Sequence, residues 1–134
     1  MSNDPISVFL VDDHALVRRT VGEYLNREAD ITLAGEAGSA HEAVAAVAQS
    51  LPQVVLMDID MPGQSCFEAA HAIKQKSPDT RVVFLSAFFH DRYIEQALQV
   101  QALGYVTKGE PPEAVIAAVR AVAAGEVYYS PEVL

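Results

Sequence analysis

Two kinds of apolar segment alternate along this chain. Short, almost uninterrupted apolar runs, of which 54–57 is the clearest, have the length of a strand and are typical of parallel strands buried on both faces. Longer segments carry apolar residues every three or four positions, as at Val17, Val21 and Tyr24, which predicts helices that pack on a sheet through one face. The pattern predicts strands at 6–11, 31–36, 54–58, 81–86 and 104–107, and helices at 15–27, 39–49, 65–76, 91–101 and 111–124.

Residues that favour helix ends stand at several of these boundaries. Ser39 and Glu42 form a capping-box pair at the second helix, and Asp91 is a candidate cap for the fourth. Pro111 opens the last helix and Gly125 ends it. Five strands thus alternate with five helices, which predicts an α/β fold with a parallel sheet, right-handed crossovers and helices on both faces.

Composition narrows the classes of protein to which the chain can belong. With 134 residues, 51% of them apolar, it is long enough for one domain with a substantial core. A net charge of -9 argues against direct binding of nucleic acid, which needs a basic surface. The N-terminus lacks the pattern of a signal peptide, no apolar run is long enough to span a membrane, and the single cysteine, Cys66, cannot form an internal disulfide. We therefore expect a cytoplasmic protein in which Cys66 is structural.

Polar side chains follow four of the five predicted strands. Asp12 and Asp13 end the first strand, Asp58 the third, Ser86 the fourth, and Lys108 comes directly after the fifth. The carboxyl ends of parallel strands lie along one edge of the sheet, where ligands bind in open α/β folds. We therefore expect these five side chains to form one site.

Three carboxylates so close together would repel one another and tend to take up protons. Mg²⁺ can compensate, because it prefers oxygen ligands and its two charges, with that of Lys108, balance three acids. We expect Asp13 to bind the metal directly and Asp12 to bind it through water. Asp58 and the backbone carbonyl of Asp60 are the remaining candidate ligands.

Such a nearly neutral site suits the transfer of a phosphoryl group, which depends on positioning and electrostatic stabilisation. A carboxylate can act as the covalent acceptor, and Asp58 lies on the central strand between the other groups. We therefore interpret Asp58 as the nucleophile, with Lys108 and the Ser86 hydroxyl contacting the phosphoryl oxygens.

Four motifs at these strand ends resemble the receiver domains of two-component response regulators. They are Leu-Val-Asp-Asp-His at 10–14, Leu-Met-Asp-Ile-Asp-Met-Pro-Gly at 56–63, Phe-Leu-Ser-Ala at 84–87 and Gly-Tyr-Val-Thr-Lys at 104–108. The resemblance implies a flavodoxin-like (βα)5 three-layer sandwich with five parallel strands in the order 2-1-3-4-5. It also implies a sensor histidine kinase as the partner that phosphorylates Asp58 in the presence of Mg²⁺.

The C-terminal part of the chain is similar to the NarL/FixJ-like subfamily, which carries a LuxR-type helix-turn-helix domain. This resemblance implies a receiver domain at 1–125 and, at 126–134, the start of a linker to a DNA-binding domain that a truncated chain would lack. DNA contact, and with it control of transcription, is then expected only through that domain. A homodimer formed on phosphorylation is a further expectation, and no membrane contact is expected.

In the family, an aromatic residue at the position of Tyr105 exchanges between outward and inward rotamers. We hypothesise that phosphorylation draws Ser86 inward and that Tyr105 then becomes more buried; the alternative is an ordinary strand aromatic. The readout surface would be the fourth helix, fifth strand and fifth helix, with Phe88 and Phe89 as candidate partner contacts.

The chain departs from the family in the loop after the acceptor. Gln64, Ser65 and Cys66 stand where an Asp-Gly pair is usual, so the loop is expected to differ in shape. Asp60 and Phe88 occupy positions that influence hydrolysis of the acyl phosphate in the family, and the lifetime of the phosphorylated state is therefore left open.

Two other functions remain open. Asp58 and Asp60 after an apolar strand also resemble the haloacid dehalogenase phosphohydrolases, although those enzymes need this strand first in the fold and a longer chain. The other is a receiver-like interaction module that is never phosphorylated. By default, His14 and Arg18 are interpreted as surface residues.

Overall fold

The computed structural model describes residues 4–63, 65–87 and 90–130, and these contain six strands and five helices. The strands are β1 (Ile6–Val11), β2 (Ile31–Ala37), β3 (Val54–Asp58), β4 (Arg81–Ser86), β5 (Gly104–Thr107) and β6 (Tyr128–Tyr129). The helices are α1 (Ala15–Asn26), α2 (Ala40–Ser50), α3 (Cys66–Lys76), α4 (Asp91–Gln99) and α5 (Pro112–Ala123).

All neighbouring strands are parallel, and their order is β2-β1-β3-β4-β5-β6. The first five strands therefore have the order implied by the resemblance, and the α/β fold with a parallel sheet is confirmed. β3 lies in the interior of the sheet, between β1 and β4. This placement explains its uninterrupted apolar sequence.

The expectation of five strands was wrong by one, because a sixth strand forms within 126–134. The Tyr128 N–H donates to Leu103 O at 2.8 Å and the Ser130 N–H donates to Tyr105 O at 2.9 Å. These bonds satisfy backbone groups at what would otherwise be the edge of β5. A two-residue strand is too short to show a periodic pattern in the sequence. Its formation depends on pairing with β5.

Apolar side chains from the sheet pack against helices on both faces. Val55 and Met57 of β3 point to the core shared with α2, α3 and α4, whereas Val54 and Leu56 point to the core shared with α1 and α5. All four are fully buried. The molecule is therefore a three-layer sandwich, as expected.

The helix ends agree with the sequence at α2 and differ at α4. The Ser39 hydroxyl accepts from the Glu42 N–H at 3.1 Å, which confirms the predicted cap. The cap of α4 is His90, whose Nδ1 accepts from the Arg92 N–H at 3.3 Å. Asp91 is instead the first helical residue, where its negative charge suits the helix dipole.

Among the described residues, no helix has the length and apolarity needed to cross a membrane.

Candidate functional site

The carboxyl ends of β1, β3 and β5 bring two acids and a lysine together. Asp12 follows β1, Asp58 is the last residue of β3, and Lys108 follows β5. Lys108 Nζ lies 2.9 Å from Asp58 Oδ2 and 3.8 Å from Asp12 Oδ2. The Lys108 N–H donates to Ser86 O at 2.7 Å, which fixes the base of the lysine beside the end of β4. The predicted convergence of Asp12, Asp58 and Lys108 is thus observed.

Asp12 and Asp58 are fully buried but incompletely hydrogen-bonded. Asp12 Oδ1 accepts from the His14 N–H, and Asp58 Oδ1 accepts from the Asp60 N–H, each at 2.8 Å. The Oδ2 atoms of both acids accept no well-aligned hydrogen bond from any described residue, so the contact of Asp58 with Lys108 is an ion pair rather than a directed bond. Buried polar atoms without partners are costly, and such atoms in a native protein point to a missing cation or water.

Oxygen atoms of the acids lie close enough to share a metal ion. Ligand atoms of Asp12, Asp13, His14 and Asp58 all lie within 4.8 Å of one another. The Oδ2 atoms of Asp12 and Asp58, which have only Lys108 as a charged neighbour, and the partly exposed Asp13 carboxylate provide the hard oxygen ligands that Mg²⁺ prefers. The donor set therefore fits a divalent cation. The roles of the individual ligands, including the Asp60 carbonyl, stay predictions.

The surroundings of Asp58 and Lys108 raise the pKa of both groups, for different reasons. Burial, together with the charge of Asp12, raises the pKa of Asp58, although the Asp60 N–H and Lys108 oppose this shift. Burial alone would lower the pKa of Lys108, but the carboxylates of Asp58, Asp12 and Asp60 raise it. Lys108 is therefore a stable cation next to a carboxylate that is destabilised by its surroundings.

Ser86 and Tyr105 lie side by side beneath this site. Both are fully buried, and a side-chain hydrogen bond joins them. The Tyr105 ring also stacks on Tyr129 of β6, with centroids 6.2 Å apart and planes inclined by 17°. Burial raises the pKa of the Tyr105 hydroxyl. The ring has no exposed surface in this arrangement, and its exchange between rotamers on phosphorylation stays a prediction.

The side chain of Asp60 has contacts that the sequence did not predict. Its Oδ1 accepts from the Ser86 hydroxyl at 3.3 Å, and its Oδ2 accepts from the Ala87 N–H at 2.6 Å. Asp60 therefore connects the loop after β3 to the loop after β4. The only sequence signal was the acid two positions after Asp58.

Cys66 supports the end of β3 from below. It is buried, and its Sγ donates to Asp58 O at 3.3 Å. Burial and the charges of Asp58, Asp13 and Asp60 raise the pKa of the thiol to about 12. A thiol that stays protonated is a poor nucleophile, so a structural role fits. Ser65 caps α3 by accepting from the Glu68 N–H, which gives the unusual loop sequence a local function.

Arg18 has contacts beyond its interpretation as a surface residue, whereas His14 is exposed, as interpreted, and lies beside the two acids. Arg18 Nη1 donates to Asp12 O and its Nε lies 3.3 Å from Glu36 Oε1, so it secures the end of β1 to β2. His14 Nδ1 lies 3.0 Å from Asp13 Oδ1 and 3.2 Å from Asp12 Oδ1. The Arg18 contacts are not visible in a helical pattern, because they depend on where α1 lies relative to β1 and β2.

Three residues singled out in the sequence lie outside the described residues. They are Gln64 in the loop after β3 and the aromatic pair Phe88 and Phe89 after β4. The partner contact expected of the two phenylalanines therefore stays a prediction.

Comparisons with known proteins point to one family. The sequence profile described as "Response regulator receiver domain" matches residues 8–120. The chain is 40% identical over 129 residues to the transcriptional regulatory protein YxjL of Bacillus subtilis, covering 96% of this chain and 59% of that protein. It is 35% identical to the response regulator protein VraR of Staphylococcus aureus, covering 96% of this chain and 62% of that protein. The chain thus spans about three-fifths of the length of these relatives.

Solved structures agree. A LuxR-family two-component response regulator from Aurantimonas sp. SI85-9A1 superposes with a TM-score of 0.90 at 29% identity, covering 96% of this chain and 92% of the other. The signal receiver domain of the putative response regulator NarL from Mycobacterium tuberculosis gives 0.86 at 31% identity, covering 92% and 99% of the two chains.

Proposed function

Because this chain belongs to the response regulator receiver domain family, we propose that Asp58 accepts a phosphoryl group from the phosphohistidine of a sensor kinase. The observation that carries the proposal is the ion pair of 2.9 Å between Lys108 and a fully buried Asp58 at the end of the interior strand β3. A carboxylate that pairs with one lysine and lies beside other acids able to hold a divalent cation is suited to accept a phosphoryl group, since the positive groups stabilise the negative charge.

The transfer itself requires little from the protein beyond alignment. A carboxylate oxygen of Asp58 attacks phosphorus, and a P–O bond forms while the P–N bond breaks. The electron pair of that bond goes to the imidazole nitrogen, and because the other ring nitrogen carries a proton the histidine leaves as the neutral imidazole. Lys108 balances the charge on the phosphoryl oxygens, and the Ser86 hydroxyl is a second donor to them.

Asp12, Asp13 and Asp58, with the backbone carbonyl of Asp60, would hold Mg²⁺. When bound, the cation neutralises acid charge and supplies a positive contact for phosphoryl oxygens. The same site could catalyse the phosphorylation of Asp58 by small phosphodonors and the hydrolysis of the resulting aspartyl phosphate. The domain would then act on its own side chain and would not be an enzyme with an external substrate.

The output of the whole protein would be transcription. The chain covers about three-fifths of relatives that carry the names of transcriptional regulators. We propose that residues 126–134 lead to a LuxR-type helix-turn-helix domain, that DNA is contacted only there, and that phosphorylation favours a homodimer. With a net charge of -9, the receiver domain itself is poorly suited to contact DNA.

The test is incubation with acetyl phosphate and Mg²⁺ followed by intact-mass measurement. We expect the wild type to gain the mass of one phosphoryl group and Asp58→Asn to gain none. Asp79→Asn is the matched control, because it removes an exposed acid outside the site and should gain mass like the wild type. Sustained release of phosphate from many equivalents of a phosphate ester would instead support a phosphohydrolase. No gain in any of the proteins would support a receiver-like module that is never phosphorylated.

A further inference from the structure

The carboxylate of Asp60 accepts hydrogen bonds from two donors at the end of β4. Ala87 N–H donates to its Oδ2 at 2.6 Å, which is short even for a charge-assisted bond, and the Ser86 hydroxyl donates to its Oδ1 at 3.3 Å. One carboxylate therefore accepts from a hydroxyl and from the next backbone amide. Ser86 is the last residue of β4 and Ala87 follows it, and β4 pairs with β3 at Leu85 and Asp58.

Asp60 is also attached directly to the proposed acceptor. Its N–H donates to Asp58 Oδ1 at 2.8 Å, so the backbone of Asp60 cannot move far from Asp58. The carboxylate oxygens thus bind Ser86 and Ala87, which directly follow Leu85, the β4 residue that pairs with Asp58. A backbone N–H and a hydroxyl that converge on one anion are the elements from which phosphate sites are built.

Resting on the function proposed above, we propose that Asp60 is a positioning residue that competes with the phosphoryl group on Asp58 for the Ser86 hydroxyl and the Ala87 N–H. A phosphoryl oxygen can gain these donors only if the Asp60 carboxylate gives them up. A phosphoryl group also brings about -1.5 to -2 charges next to the charge of Asp60. Both effects oppose phosphorylation: the first acts through Ser86 and Ala87, and the second acts directly between the two negative charges.

The competition has a second consequence for the switch residues. Because Asp60 holds Ser86, and Ser86 is hydrogen-bonded to the buried Tyr105, the carboxylate helps to keep this pair in its inward arrangement. Asp60 thus supplies hydrogen-bond acceptors to Ser86 and Ala87, as a phosphoryl group on Asp58 would. Asp60 should therefore reduce the structural difference between the unphosphorylated and the phosphorylated domain at Ser86 and Tyr105.

The first measurement is the affinity for beryllofluoride, a phosphoryl mimic, with Mg²⁺ present. We expect Asp60→Asn and Asp60→Ala to bind it about tenfold more tightly than the wild type, since a charge-assisted hydrogen bond and a like charge no longer have to be overcome. Asp79→Asn removes an equal charge at an exposed position and should bind like the wild type. Thermal unfolding of each variant shows that it is folded.

The second measurement follows the Ala87 amide by hydrogen exchange. In Asp60→Ala this amide should lose its protection and regain it when beryllofluoride is added, whereas in the wild type it should be protected in both conditions. A merely structural role for Asp60 would not give this restoration.

Equal or weaker binding by both Asp60 variants would overturn the inference, as would an Ala87 amide that beryllofluoride fails to protect. In either case, phosphorylation of Asp58 in the wild type would leave the proposed function standing. Failure of the wild type to bind beryllofluoride and to gain phosphoryl mass would overturn the proposed function and this inference together.

Discussion

Two clusters of charge in this molecule are built from the same groups and differ in how well those groups are paired. In the candidate site, Asp12 and Asp58 are fully buried, face one lysine and each keep an oxygen without a hydrogen bond from the described residues. On the surface, Arg120 of α5 donates to both oxygens of Asp30 at 2.8 and 2.9 Å and to Glu28 at 2.7 Å. The surface cluster is well bonded and partly exposed to water.

The difference separates a functional cluster from a structural one. Exposed ion pairs gain little because water screens them, even with good geometry. Buried carboxylates with too few partners cost stability, and they persist where a ligand completes them. Good pairing therefore marks the Arg120 cluster as a tie between α5 and the segment before β2, and poor pairing marks the acids as a binding site.

The largest effect should come from completing the buried cluster with Mg²⁺. At a Mg²⁺ concentration about 100 times its dissociation constant, we expect the free energy of unfolding of the wild type to rise by about 2.7 kcal/mol. Asp13→Asn removes a partly exposed ligand and should lose most of this gain, whereas Asp30→Asn should keep it. Denaturant unfolding with and without the metal is the measurement, and an equal gain in Asp13→Asn would contradict the assignment.

The next effect is the relief of buried charge when no divalent ion is present. Asp58→Asn leaves one buried acid facing one lysine, so at pH 7 with a chelator we expect its free energy of unfolding to exceed that of the wild type, on the order of 1 kcal/mol. Because burial raises the pKa of Asp58 in the folded protein, the folded state binds this proton more tightly than the unfolded state does. That stabilisation is present at low pH and is lost as pH rises through the raised pKa.

The advantage of Asp58→Asn should therefore shrink as the pH is lowered through the raised pKa of Asp58. Denaturant unfolding at several pH values measures this, with Asp30→Asn as the comparison. The hydrogen bond from Arg120 lowers the pKa of Asp30, so Asp30 stabilises the fold above its ordinary pKa and loses this effect as the pH falls. A variant of Asp58 that is less stable than the wild type at neutral pH would refute the account of the buried cluster.

The smallest effect should come from breaking the surface cluster. Arg120→Gln removes the bonds to Asp30 and Glu28, and we expect a slight loss of stability that diminishes as salt is added, since Asp30 is exposed and Glu28 is partly exposed. Thermal unfolding at low and high ionic strength checks this. A loss larger than the change produced by Asp58→Asn, or one that salt does not reduce, would reverse the comparison.

Local pattern was sufficient to predict much of this molecule from its sequence. The five longer strands, the five helices and the convergence of Asp12, Asp58 and Lys108 depend on periodicity within a segment and on the geometry of parallel sheets. These properties do not depend on which distant segments meet, so the sequence alone reveals them.

Several features that sequence analysis missed depend on distant partners. The short strand β6 forms because β5 offers an edge, and the bonds of Arg120 join positions about 90 residues apart. The contact of Asp60 with Ala87 likewise depends on two loops that meet only in the folded domain. Contacts between distant segments leave no periodic pattern within either segment.

The central claim is that the phosphoryl group becomes bonded to a side-chain oxygen of Asp58. Borohydride reduces an aspartyl phosphate to homoserine, so treatment after acetyl phosphate and Mg²⁺, followed by peptide mapping, identifies the acceptor directly. We expect homoserine at position 58 alone, and none when beryllofluoride is added first. Homoserine at Asp12, Asp13 or Asp60 in place of 58, or none at any position, would contradict the account.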